Sequence, residues 1–101
     1  MSTKLSDLEP WLQPWAAWLI SLTPYVQVTS TRRSWFAQLQ LYLAARRGES
    51  RYPALPPGRS LHEQGRAFDL AGPSKVLHQL GAIWQQVGGR WSADDEIHFE
   101  A

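Results

Sequence analysis

A chain of 101 residues has room for one domain and little else, and its 44% hydrophobic content is ordinary for a globular fold and argues against disorder. Ten Lys and Arg against nine Asp and Glu leave a formal net charge of +1, too balanced to point to nucleic acid as a partner. With no cysteine, disulfides and thiolate metal sites are excluded, so any metal must be held by His and carboxylates.

Residues 1–9 carry one Lys, then Asp7 and Glu9, which is not the basic-then-apolar layout of a signal peptide. The longest apolar run, Trp15 to Ile20, is too short to span a bilayer. The expectation is a single domain over residues 1–101, a soluble monomer made without a signal peptide.

Leu5, Leu8, Leu12, Trp15, Leu19 and Leu22 step by three and four, which predicts a first helix with one apolar stripe. Ser6 and Glu9 fit a capping box at its start, Pro14 a kink, and Pro24 its end. The run 25–29 is β-branched and predicts a strand, followed by a polar turn over Ser30 to Arg33. A second helix is expected from about Ser34, its N-cap, to Arg47, with Gly48 at the C′ position. Residues 48–60, rich in Pro and Gly, predict a long loop of the kind that is usually functional.

Arg66 to Ala71 reads as a strand, with Gly72 and Pro73 as N-cap and N1 of a third helix. Val76, Leu80, Ile83, Trp84 and Val87 are its expected buried face, and Gly88-Gly89 its end. Residues 96–101 predict a last strand. Helices and strands mix without a βαβ rhythm, so the expected class is α+β: a small, mainly antiparallel sheet with about three helices packed on it.

Three His residues are candidates for chemistry. His78 falls on the polar side of the third helix and reads as a solvated histidine. His62 alone reads as a loop histidine, and His98 alone as part of a half-buried terminal strand. Asp69 is different. It sits between Phe68 and Leu70, and a carboxylate there needs something to offset its desolvation. Ala67 shares its face and leaves room, and Gly65 permits a tight path back to His62. Two His and one Asp would make a three-ligand site with an open fourth position, as catalytic zinc needs.

The segment His62-x-x-Gly65-x-Ala67-x-Asp69 resembles the first metal motif of the zinc peptidases that include D-alanyl-D-alanine carboxypeptidases and dipeptidases and L-alanyl-D-glutamate endopeptidases. Asp95-x-x-His98-Phe99-Glu100 resembles the second. Ser30-Thr31-Arg32-Arg33-Ser34 with Gln38, and Gly88-Gly89-Arg90-Trp91, resemble two further segments. These lie in family order over about residues 25–100. The resemblance implies the hedgehog/DD-peptidase fold and one zinc ion on His62, Asp69 and His98. It implies Asp95 as general base and Arg33 as the arginine that binds and polarises substrate. Thr31 and Arg32 stand where the family more often has Gly and an aromatic. Arg33 is the better match because Ser34 follows it, and whether Arg32 or Arg33 faces the site stays open.

Gln38, Tyr52 and Trp91 are expected among the substrate contacts, and Glu100 behind a ligand histidine or as an exposed carboxylate. Strict alternation would aim Asp95 away from His98. It can serve the same site if it lies before the regular strand or if a bulge re-aims it. The implied activity is hydrolysis of stem peptides in bacterial peptidoglycan, by an endolysin-like endopeptidase or a carboxypeptidase, cytoplasmic or phage-associated until delivered to the wall. The alternative is a catalytically inactive, metal-stabilised wall-binding or phage structural module.

Overall fold

The computed structural model describes residues 2–50 and 52–101, so residue 51 of the expected loop lies outside them. A 3-10 turn at Leu5–Asp7 precedes helix α1, Gln13–Ser21. Strand β1, Gln27–Ser30, leads to helix α2, Trp35–Arg46. After the long loop, a 3-10 turn at Leu61–Gln64 runs into strand β2, Ala67–Ala71, and helix α3, Ser74–Gln86. Strand β3, Arg90–Trp91, a 3-10 turn at Ala93–Asp95 and strand β4, His98–Glu100, complete the chain. The four strands form one antiparallel sheet in the order β1-β2-β4-β3. The α+β class expected from the sequence is the one observed. Among the described residues no helix is long and apolar enough to cross a membrane.

The sheet divides its two faces by alternation. Phe68, Leu70 and Phe99 point into an apolar core with Leu12, the N-cap of α1, Ala16 and Leu19 of α1, and Leu77, Leu80 and Trp84 of α3. The Phe68 ring stacks on Phe99 at 5.5 Å and meets Trp84 edge-on at 5.5 Å. Asp69 and His98 are paired directly across β2 and β4, on the other face. The core therefore fixes the two central strands, and the strands fix the register of these two groups.

Several local expectations are corrected. The single N-terminal helix is two pieces, and the Ser6–Glu9 capping box does not form. Leu8, Leu12, Ala16 and Leu19 make the inward row, and Trp15 and Leu22 lie at its edge, half exposed. Pro14 lies in the first turn of α1, where its missing N–H costs nothing, so it starts the helix and does not kink it. The N-cap of α3 is Pro73, one residue later than expected. Its inward row is Leu77, Leu80, Gly81 and Trp84, with Val76 and Ile83 half-buried and Val87 exposed. β3 has two residues, too few for a period to be read.

Gly81 explains the orientation of α3. A Cβ there would stand 2.2–2.5 Å from the Trp91 ring, so the aromatic lies directly on the helix backbone. In an open helix, Gly→Ala stabilises by about 1 kcal/mol. Here the overpacking should dominate, and Gly81→Ala should destabilise by about 1–3 kcal/mol in urea unfolding. A stabilised variant would contradict the packing of Trp91 on α3.

Candidate metal centre

His62 is placed by a short turn with strong local instructions. Ser60 Oγ accepts from the His62 N–H at 3.2 Å, and the Glu63 carboxylate accepts from the Ser60 and Gly58 N–H groups at 3.2 and 2.9 Å. This is a capping box, and its signal in the sequence is the Ser-x-x-Glu spacing of Ser60 and Glu63. Glu63 is thus tied into the turn and not merely facing solvent. Gly65 closes the turn at φ +71°, where a Cβ would also press to 3.2 Å on the Asp7 carbonyl and the Glu9 nitrogen. The turn drives the His62 ring under the sheet face, where it is 1% exposed.

His62 Nε2, His98 Nδ1 and Asp69 Oδ1 then form a nearly equilateral triangle. The separations are 3.1 Å from His62 to Asp69, 3.2 Å from His98 to Asp69 and 3.2 Å between the two rings. The far nitrogens decide the proton positions. His62 Nδ1 donates to the Thr31 carbonyl at 2.6 Å, and His98 Nε2 donates to the Glu100 carboxylate at 2.9 Å. Neither partner has a proton to give, so each neutral ring must turn a lone pair toward the triangle. Three acceptors converge with no donor among them, a donor set that can hold a metal ion. A tetrahedral ion with bonds of about 2.0–2.1 Å requires ligand atoms about 3.3 Å apart, close to the triangle found. The residues fit the implied metal.

The surrounding charges follow the same logic. Burial alone would raise the Asp69 carboxyl, but its contacts with the His62 and His98 rings and the Arg33 guanidinium outweigh it and hold it well below the usual carboxylate range. Burial opposes the charged His98 ring, yet Asp69 and then Glu100 overcome it and raise His98 above its ordinary 6.5. Asp69 Oδ2 takes Arg33 Nη2 at 2.8 Å, while Arg33 Nη1 donates to Gln38 Oε1 at 3.1 Å. Arg32 is exposed, so of the two arginines Arg33 faces the site.

The triangle forms the floor of a cleft of about 520 Å³. Gln38 and Leu41 of α2 and Tyr52, Pro53, Ala54 and Leu55 of the long loop line it, as do Asp95 and Ile97. Asp95 lies in the 3-10 turn before β4, where strand alternation does not apply, and it shares the cleft with His98. Burial and the nearby Asp69 charge raise its carboxyl, against the pull of His98, His62 and Arg33.

The other expected site residues divide. Tyr52 lines the cleft. Gln38 does too, but both ends of its amide are engaged within the protein, the oxygen by Arg33 and the nitrogen by the Leu55 carbonyl at 2.6 Å. Trp91 does not line it. Its indole donates to the Glu96 carbonyl at 2.9 Å and its ring packs on Gly81, which turns it to the helix side. Glu100 accepts from His98 and is itself held by Arg90 Nη2 at 2.9 Å. His78 is apart from the triangle, bonded to Glu96 at 2.9 Å. The Thr31 carbonyl had no side-chain signal by which to be found.

No protein-family model matches the chain, and no curated protein matches it by sequence. Its fold is similar to the crystal structure of the L-Ala D-Glu endopeptidase ChiX of Serratia marcescens, with a TM-score of 0.68 and 19% identity over 95% of this chain and 81% of that one.

Two outcomes follow for the metal-free protein and its zinc titration. The raised His98 contributes stability that is full below its unfolded value of 6.5 and lost as pH rises through its higher folded value. A metal ion held here would have to displace that proton, so zinc offered as a probe should bind more strongly over the same rise. Zinc at a hundredfold over its Kd should add about 2.7 kcal/mol to unfolding. His98→Ala should remove both effects in thermal melts across pH. Equal zinc stabilisation in His98→Ala would contradict the site.

Proposed function

We propose that the protein is a zinc-dependent peptidase acting on the stem peptides of peptidoglycan, as an endopeptidase or a carboxypeptidase. The observation that carries the reading is the three-acceptor triangle on the floor of a cleft that also holds Asp95 and Arg33. The shared fold with a protein described as an L-Ala D-Glu endopeptidase supports the substrate class. Nitrogen and oxygen ligands in a three-plus-one arrangement favour zinc. A lysin-like or phage-associated setting goes with this reading.

The bound ion would supply a Lewis acid that polarises the peptide carbonyl and makes water acidic near neutral pH. The chain's own residues do the rest. The cleft wall with Tyr52 and Leu55 holds the peptide, and the apolar Leu41 and Ile97 limit water around it. Asp95 takes the proton of the attacking water and delivers it to the leaving amine. Arg33 contributes fixed positive charge where the carbonyl oxygen gains negative charge. Glu100 and the Thr31 carbonyl hold the two imidazoles in the required tautomers.

Asp95 works as a base only when ionised, so activity should fall as pH drops through its raised pKa, at a pH above the ordinary 3.8. Asp95→Asn should keep zinc binding and stability and lose about 10²–10⁴-fold in turnover. Mass spectrometry of muropeptides digested by the zinc-loaded protein reads both the activity and the bond cut. Cleavage that survives complete metal removal would refute the mechanism. A wild type that binds cell wall yet cleaves nothing would leave an inert binding module.

A further inference from the structure

Helix α2 is attached to the molecule in an unusual way. None of its residues belongs to the apolar core or packs on it. Of its residues only Gln38 is fully buried, at 1% exposure. Gln38 Nε2 donates to the Leu55 carbonyl at 2.6 Å, and Gln38 Oε1 accepts from Arg33 Nη1 at 3.1 Å. Arg33 Nη2 in turn holds Asp69 at 2.8 Å, while Arg33 Nε is buried without a partner. The guanidinium thus has two side-chain anchors, Asp69 and Gln38. Without Gln38 it would be free to swing about a single bond.

We propose that Gln38 is a positioning residue that couples the cleft wall at Leu55 to the orientation of Arg33, so that a peptide seated against the wall also sets the arginine beside the metal-binding carboxylate. The chain of contacts runs from the Leu55 carbonyl through one amide and one guanidinium to Asp69. An amide is suited to this position because it donates at one end and accepts at the other. A carboxylate could still accept from Arg33 but could not donate to Leu55. A thioether of similar size could do neither. The coupling is reciprocal: disturbing Arg33 must loosen the wall, although among the described residues its side chain donates to Gln38 and Asp69 and not to the loop. The kinetic consequence rests on the proposed peptidase activity, whereas the mechanical coupling does not.

The test compares Gln38→Met, Gln38→Glu and Arg33→Met by backbone ¹⁵N relaxation and by muropeptide kinetics. In the wild type, Ala54 and Leu55 should show order parameters of about 0.85, falling below about 0.6 in Gln38→Met and Gln38→Glu and also dropping in Arg33→Met. Unchanged amide shifts in β2 and β4 serve as the control for folding. Gln38→Met should lower kcat and raise KM, each by about 10-fold or more. Gln38→Glu should raise KM but keep kcat within about threefold of wild type, because Arg33 keeps its acceptor. An unaltered wall in Arg33→Met, or equal kcat losses in Gln38→Glu and Gln38→Met, overturns the proposal. If Gln38→Met does not fold, Gln38→Glu decides alone, and a rigid Ala54–Leu55 in it is a refutation. A wild type inert on peptidoglycan would defeat the proposed function and leave the relaxation result standing.

Discussion

Asp69 stands in a strand between Phe68 and Leu70, both fully buried, so its carboxylate is carried into the protein by the packing of its neighbours. An isolated carboxylate there would be untenable. Arg33 compensates one oxygen, and the other faces two imidazole nitrogens whose protons are held elsewhere. The arrangement is complete only with positive charge in the triangle, from a proton on His98 or from a metal ion. Much of the remaining structure can be read as what is needed to hold this unfavourable convergence of acceptors in place.

Two sets of forces meet at the sheet. On one face, apolar burial and ring stacking around Phe68, Phe99 and Trp84 lock β2 against β4 and so fix Asp69 opposite His98. On the other, hydrogen bonds do the positioning: the capped turn brings in His62, and Arg90 holds Glu100, which holds His98. The apolar face is insensitive to the ion. The polar face would depend on a bound ion, because leaving a buried charge without a partner costs about 3–5 kcal/mol. A metal ion held in the triangle would therefore be linked to the fold through a few residues and not through the whole core.

Much of this was legible in the sequence for reasons that can be stated residue by residue. Asp69 was conspicuous because Phe68 and Leu70 flank it, and Ser34 and Gly48 bracket α2 as caps do. The position of Asp95 was posed as a choice, and the turn Ala93–Asp95 resolves it by ending alternation before β4 begins. Other features had no local signal. Trp15 lies at the edge of the row in which Ala16 is the buried residue, and the inward face of α3 depends on Trp91 of β3 lying on Gly81. Trp91 shares a short motif with residues near the site, yet its own packing turns it away. The role of Thr31 is played by a backbone carbonyl, which every residue type offers.

The claim on which the account rests is that His62 and His98 present opposite ring nitrogens to one cation, Nε2 from the first and Nδ1 from the second. Long-range ¹H–¹⁵N spectra of the imidazoles, recorded as zinc is added to one equivalent, test it most directly. The proton should stay on Nδ1 of His62 and Nε2 of His98 while the two inward nitrogens shift to metal-bound values together. Zinc appearing on Nε2 of His98, or leaving either ring unchanged at saturation, would contradict it.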